Sequence, residues 1–361
     1  MARSVYIHIP FCKSICSYCD FCKVFYVKRW VSKYLDELQK EIIDRYEGEL
    51  IKTLYIGGGS PSQLKDSELE KLEKIVGLFN FAEDYEFTFE ANINDLNDIY
   101  LTRLKNLGVN RLSIGIESFD NDKLKLMGRE ANFNDACKIV KMARTKGFNN
   151  INIDFIYGLP NETINVVKDD IKKILKLKPD HISAYSLILE PNTRLYIHYK
   201  EGVKEDDEYE MYSYIRRALI KSGFDHYEVS NYKTPGKEAR HNLVYWNNDE
   251  YYGFGLGASG YLHEVRYENT KSLTKYLKGE YISKRELVSI EDEKKNKLML
   301  GLRLTKGINL NEWFLTYGEN LETNPNISKL ISEKLLKVEN NYLFINPKKL
   351  YVMNEILVRI I

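Results

Sequence analysis

Strand–helix alternation constrains this 361-residue chain more than any other feature. Short apolar runs at 4–9, 53–56, 86–90, 111–116, 151–156 and 181–188 have the length and composition of strands. Amphipathic stretches at 31–46, 67–79, 95–107, 134–145, 166–177 and 208–222 follow them, with apolar residues at helical spacing. Strands joined by such crossovers run parallel. Six units predict an α/β fold built on an incomplete parallel barrel, open along one side, in place of a closed ring of eight. At this length a main domain with a smaller appendage is expected. Reactive groups in such barrels gather at the carboxyl ends of strands. That rim receives a cysteine-rich loop after the first strand and Gly57-Gly58-Gly59-Ser60-Pro61 after the second. Glu90 ends the third strand, Glu117 ends the fourth, and Asp154 stands near the end of the fifth.

Cys12, Cys16 and Cys19 are spaced C-x3-C-x2-C, with Tyr18 just before the last. Three thiolates so placed can hold three irons of a [4Fe–4S] cube, which four cysteines normally tie. The open fourth iron suits the amino and carboxylate groups of S-adenosylmethionine (SAM). An electron passed into the bound sulfonium would break a carbon–sulfur bond and leave a 5′-deoxyadenosyl radical. A disulfide framework fits poorly with five cysteines, an odd number, and no secretory signal. Zinc is the stronger competitor, since C-x2-C recurs at Cys16/Cys19 and Cys19/Cys22. Structural zinc sites, however, usually join two such pairs across roughly a dozen residues or more. Cys22 would close the cluster if it bound the fourth iron, and is otherwise a spare thiol. Cys137 falls in a helical pattern and reads as a small buried apolar residue.

Each rim residue has a functional and a plainer reading. Gly57, Gly58 and Gly59 let backbone approach a ligand such as the methionyl part of SAM, and a tight turn alone also favours glycine. Glu90 is an acid in a mostly apolar strand, where burial without a partner is costly. The amino group of SAM would answer it, as would a structural Lys or Arg. Glu117, Arg129 and Asp154 suit a ribose, an adenine edge or a second ligand, or else pair with one another. Tyr6 and Tyr18 would stack or hydrogen-bond near the cluster, or simply pack.

Lys+Arg 53 against Asp+Glu 52, with no basic block, does not point by charge to a nucleic-acid partner. Apolar runs such as 112–116 are far too short to span a bilayer. Met1-Ala2-Arg3 leads directly into a strand pattern, so no targeting segment is expected. Free thiols beside an exposed cube call for a reducing compartment, the cytoplasm.

Further motifs accompany the cysteines. They are Tyr6-Ile-His-Ile-Pro-Phe-Cys12, Asp154-Phe-Ile-Tyr-Gly-Leu-Pro160 and Tyr227-Glu-Val-Ser-Asn-Tyr232. With the glycine run, they resemble the radical SAM proteins related to oxygen-independent coproporphyrinogen III dehydrogenase. Within that group, Arg240-His-Asn-Leu-Val-Tyr-Trp246 resembles the H-N-x-x-Y-W signature of the heme chaperone (HemW) family. The resemblance covers nearly the whole chain. It implies a radical SAM core over 1–235, a connecting segment with the signature over 236–290, and a small, mostly helical C-terminal domain over 291–361.

By the same resemblance, Cys12, Cys16 and Cys19 are the cluster ligands, and Tyr6, Gly58 and Glu90 hold the cluster-bound SAM. Tyr18, Gly59, Ser60, Glu117, Arg129 and Asp154 match positions that hold a second SAM in the dehydrogenase. There are departures. The dehydrogenase has an N-terminal extension, a C-x-C after the motif, and glutamine where Glu117 stands; Ser259 replaces a histidine usual among relatives. His241 is the candidate heme ligand, with a packed loop histidine as the other reading. Two functions are implied. One is a chaperone that binds heme, or a related tetrapyrrole, and passes it to acceptor proteins at the membrane. The other is a radical enzyme that decarboxylates a porphyrinogen.

Overall fold

A computed structural model describes residues 2–360. Strand β1 (Ser4–Ile9) runs into the short β2 (Phe11–Cys12), which pairs in parallel with β3 (Val24–Phe25). The cysteine run is thus a loop pinned at both ends. Then follow α1 (Lys28–Arg45), β4 (Leu50–Gly58), α2 (Asp66–Val76), β5 (Asn80–Asn92), α3 (Asp98–Asn106) and β6 (Arg111–Glu117). Helices α4 (Asn121–Met127) and α5 (Phe133–Thr145) lead to β7 (Ile151–Tyr157), α6 (Ile164–Lys176) and β8 (His181–Ser186). The barrel part ends with α7 (Arg194–His198), α8 (Glu205–Lys221), β9 (Asp225–His226), β10 (Asn231–Lys233), α9 (Arg240–Trp246) and β11 (Tyr252–Phe254).

These strands form one nine-stranded sheet in the order β11-β1-β4-β5-β6-β7-β8-β10-β9. From β11 to β8 every pairing is parallel, and β10 and β9 add an antiparallel edge. With β11 at one edge and β9 at the other, the α/β barrel is incomplete, as six strand–helix units predict. The structure adds three strands to the six expected: β10 and β9 at one edge and β11 at the other. Tyr252 and Phe254 of β11 are fully buried beside β1, so part of the segment 236–290 belongs to the core sheet.

The two sheet faces divide by alternation. Val5, Ile7, Ile9, Leu54, Ile56, Phe87, Phe89, Leu112, Ile114 and Ile153 pack in the main apolar core with residues of the helices. Burying one such side chain fully is worth about 1.5–3 kcal/mol, so this face holds the fold together. The other face is polar: Tyr55 bonds to Glu90; Ser113, Asn152, Asp154, His181 and Ser183 form a network across strands; and Thr53 bonds to His241 of α9. Those residues face the barrel interior, where the site is built.

Beyond the barrel, β12 (Ser259–Leu262), β13 (Val265–Asn269) and β14 (Ile282–Leu287) form a separate antiparallel sheet. Residues 302–360 have an apolar core of their own around Leu302, Trp313, Leu330, Leu343 and Ile356. That part is mainly helical and also carries a three-stranded sheet. Among the described residues, no helix is long and apolar enough to cross a membrane.

Candidate functional site

The cysteine loop arches over the carboxyl ends of the barrel strands. Ser17 anchors it, its N–H donating to Met127 O (2.9 Å) and its hydroxyl to Leu126 O (2.6 Å). Cys12, Cys16 and Cys19 line one cavity of about 1060 Å³ that reaches down to Glu90 and Asp154. All three are free thiols. Burial pushes the Cys12 thiol up to about 11 and raises Cys19 as well. Such thiols ionise when a cation takes them, because metals bind the deprotonated form. Among the described residues, no three His, Cys, Asp or Glu side chains are grouped to hold a single ion. A cube asks for no such point, since each iron takes its own thiolate.

Cys22 stands apart from this set. A Cβ on Gly257 would come within 2.8 Å of its sulfur, and its carbonyl bonds to His8 Nε2 (2.7 Å). It packs against the main core, as does the half-buried Cys137 of α5.

The glycine run lies between the cysteine loop and Glu90. Gly58 has φ +116°, a conformation that favours glycine. A Cβ on Gly57 would fall 2.7 Å from the carboxyl carbon of Glu90. One on Gly59 would fall 2.7 Å from Pro10 O and 3.0 Å from Cys12 Sγ. Bare backbone therefore lies directly against the acid on one side and the cysteine loop on the other.

Three acids converge in the cavity. Glu90 accepts from the Tyr55 hydroxyl (2.7 Å) and the Gly58 N–H (3.0 Å). Burial lifts it to about 7, and the nearby Asp154 adds to the rise. Asp154, also raised by burial, accepts from Asn152 Nδ2 (2.8 Å) and the Ser113 hydroxyl (3.0 Å). Glu117 has φ +60° and accepts from the Tyr18 hydroxyl (3.1 Å) with Oε1. Arg129 Nη1 lies 3.4 Å from that same oxygen, while the buried Oε2 has no partner. The Arg129 guanidinium is fixed by Asn92 Oδ1 (2.9 Å) and Gly115 O (2.8 Å), and its Nη1 lies 3.6 Å from Cys16 Sγ. Burial raises all three carboxyls, with Arg129 beside Glu117 and Arg111 acting on Asp154, and a cationic ligand would favour their ionised forms. The sulfonium and amino groups of SAM have the charge and donors that this site lacks, and the cysteines fit the cube.

The sign of the pH dependence follows. Below about pH 7 Glu90 must give up a proton before it can serve a cationic ligand, so SAM affinity of the cluster-loaded protein should rise from about pH 6 to about pH 8. Calorimetric titration at several pH values checks this. A flat profile in the unaltered protein, or the same slope retained in Glu90→Gln, would count against it.

Beneath the rim a buried network ties the neighbouring loops. Lys123 of α4 pairs with Glu162 (2.7 Å) and with Asp170 of α6 (3.3 Å), the side chains being 4% and 1% exposed. Asp170 in turn accepts from the Ser118 hydroxyl (2.6 Å) and the Phe119 N–H (2.7 Å), just after Glu117.

Of the residues singled out in the sequence, Cys12, Cys16, Cys19, Tyr18, Gly58, Gly59, Ser60, Glu90, Glu117, Arg129 and Asp154 all line the cavity. Three others lie elsewhere. Gly57 sits behind Glu90, and the Tyr6 hydroxyl bonds to His8 Nδ1 (2.9 Å) beneath the cavity. His241 is 1% exposed, with Nδ1 bonded to Thr53 Oγ1 (2.8 Å) and Nε2 to the Tyr245 hydroxyl (2.8 Å). In this arrangement both ring nitrogens are hydrogen-bonded. Ser259 is exposed at the start of β12.

Sequence reasoning missed Tyr55, Asn92, Ser113 and Tyr185, which also line the cavity. Tyr55, Asn92 and Ser113 stand two positions from Gly57, Glu90 and Gly115. Period-two stepping from Glu90 and Glu117 would have found Asn92 and Ser113, whereas Tyr55 needed the pairing of β4 with β5.

Comparison with known proteins follows this geometry. The model of the radical SAM superfamily matches residues 6–174. The heme chaperone HemW of Lactococcus lactis is 38% identical over 98% of this chain and 96% of its own length. That of Bacillus subtilis is 37% identical over 92% of each. Among solved structures, coproporphyrinogen III oxidase (HemN) from Escherichia coli matches with a TM-score of 0.88. The match covers 99% of this chain and 89% of that one at 22% identity, a likeness of fold.

Proposed function

Because this chain belongs to the heme chaperone HemW family, within the radical SAM superfamily, we propose that it binds heme for delivery to heme-requiring proteins. It does so carrying a [4Fe–4S] cluster on Cys12, Cys16 and Cys19, with SAM beside it. One observation carries the cofactor reading: three thiols and three acids open on one cavity that Cys22 does not line. Near full-length likeness to heme chaperones supports the heme reading. Acceptors at the membrane are the partners proposed, and the cytoplasm, whose reducing conditions preserve thiols and cluster, is the compartment.

When bound, cluster and SAM together supply one-electron reductive cleavage of a carbon–sulfur bond. The chain's own residues do the positioning. Tyr55 and the Gly58 N–H hold the Glu90 carboxylate ready to accept from the ligand's amino group. Asp154 and the unpartnered Oε2 of Glu117 are left to accept from ribose hydroxyls. Arg129, locked by Asn92 and the Gly115 carbonyl, favours ionised Glu117. The barrel walls exclude water and strengthen each of these interactions.

Titration of the reconstituted protein with heme should show stoichiometric binding by absorbance. Incubation of the reduced protein with SAM and coproporphyrinogen III should yield no vinyl product. Absence of heme binding, or vinyl products at catalytic turnover, would reverse the reading.

A further inference from the structure

Helix α9, which carries the H-N-x-x-Y-W signature, lies beneath the cavity, toward the amino ends of β4 and β5. Its start is held by Glu86 of β5, whose carboxylate accepts from the Arg240 N–H (3.1 Å) and the His241 N–H (3.1 Å). The Tyr227 hydroxyl accepts from the Ala239 N–H (3.2 Å). So held, the helix inserts His241 among the barrel's inward-facing side chains. The ring lies 5.3 Å from Tyr55 and 6.5 Å from Tyr6, centroid to centroid.

Two paths rise from those tyrosines. The Tyr55 hydroxyl donates to Glu90 Oε1 (2.7 Å). The Tyr6 hydroxyl bonds to His8 Nδ1 (2.9 Å), and His8 Nε2 bonds to Cys22 O (2.7 Å) at the end of the cysteine loop. We propose that His241 is a positioning residue of the cofactor site, supporting Glu90 through Tyr55 and the cysteine loop through Tyr6 and His8. The signature histidine thus serves SAM binding from below, and heme ligation falls to other groups. This rests on the reading that SAM occupies the acid-lined cavity.

The chemistry of the ring supports the role. A neutral imidazole has one donor and one acceptor, fixed in direction, and here both are used. Burial lowers its basicity to about 3, so it stays neutral at working pH and acts as a rigid spacer. An iron could reach it only after two hydrogen bonds broke and the barrel floor opened.

The test uses the full chain with its cluster reconstituted. SAM affinity is read by calorimetry and heme stoichiometry by absorbance, in the unaltered protein, His241→Ala, Tyr55→Phe and the double variant. His241→Ala should weaken SAM roughly tenfold, as removal of outer-shell partners commonly does. Tyr55→Phe should do the same, and the double variant should fall short of the product of the two effects, because groups acting in series couple. Heme stoichiometry should not change. Loss of heme binding in His241→Ala with SAM affinity intact would overturn the proposal, and so would multiplicative effects in the double variant. Should His241→Ala fail to fold, Tyr55→Phe decides alone: it keeps the ring and removes one hydroxyl, and unchanged SAM affinity there rejects the proposal. Failure of the unaltered protein to bind SAM would bring down the broader reading and this inference with it.

Discussion

Alanine at Cys12, at Cys16 or at Cys19 should each abolish the iron–sulfur absorbance of anaerobically reconstituted protein, while Cys22→Ser should keep it. The three former thiols share one cavity, and each would hold its own iron. Losing any one leaves a cube with two protein anchors. No nearby sulfur can step in, because Cys22 is turned toward Gly257 and its carbonyl is bound by His8. Iron and sulfide analysis of the four variants, with absorbance spectra before and after SAM, reads the result. If Cys22→Ser alone lost the cluster, a closed four-thiolate carrier would be the better description, and SAM would have no iron to approach.

Lys123→Met should lower stability by about 3–5 kcal/mol, the usual consequence of removing one partner from a buried ion pair. Glu162 and Asp170 face the same ammonium with side chains 1% exposed, so without it two carboxylates stay buried and mutually repulsive. By contrast, Lys138→Met breaks a pair whose side chains are 73% and 57% exposed, and it should barely move the unfolding midpoint. Urea unfolding of both variants at neutral pH makes the comparison. Equal midpoints would mean that water reaches the Lys123 network. Because the network anchors the backbone after Glu117, Lys123→Met should also loosen the rim that carries that acid.

Much of the site was legible before any coordinates, for a physical reason. Parallel strands linked by helices bring their carboxyl ends to one rim, so Gly58 and Glu117 at strand ends, Glu90 two residues before the end of β5, and the cysteine loop were bound to converge. Three-thiolate spacing then pointed to the metal chemistry. What stayed hidden depends on register. Tyr55 reads as one more apolar strand residue until β4 is paired with β5, when its hydroxyl is found on Glu90. Strand β11 has three residues, too few for a periodic pattern, and its place beside β1 follows from tertiary pairing. His241 was open to either reading because imidazole suits iron and core alike. In the structure its two ring nitrogens bond to the hydroxyls of Thr53 and Tyr245, partners that sequence spacing does not reveal.

Position 57 offers a way to sort other chains of this architecture. Even a methyl there would overlap the carboxyl group of residue 90 and drive it from its place. A chain with any side chain at that point must hold this carboxyl elsewhere, away from the Tyr55 hydroxyl and the Gly58 N–H that fix it here.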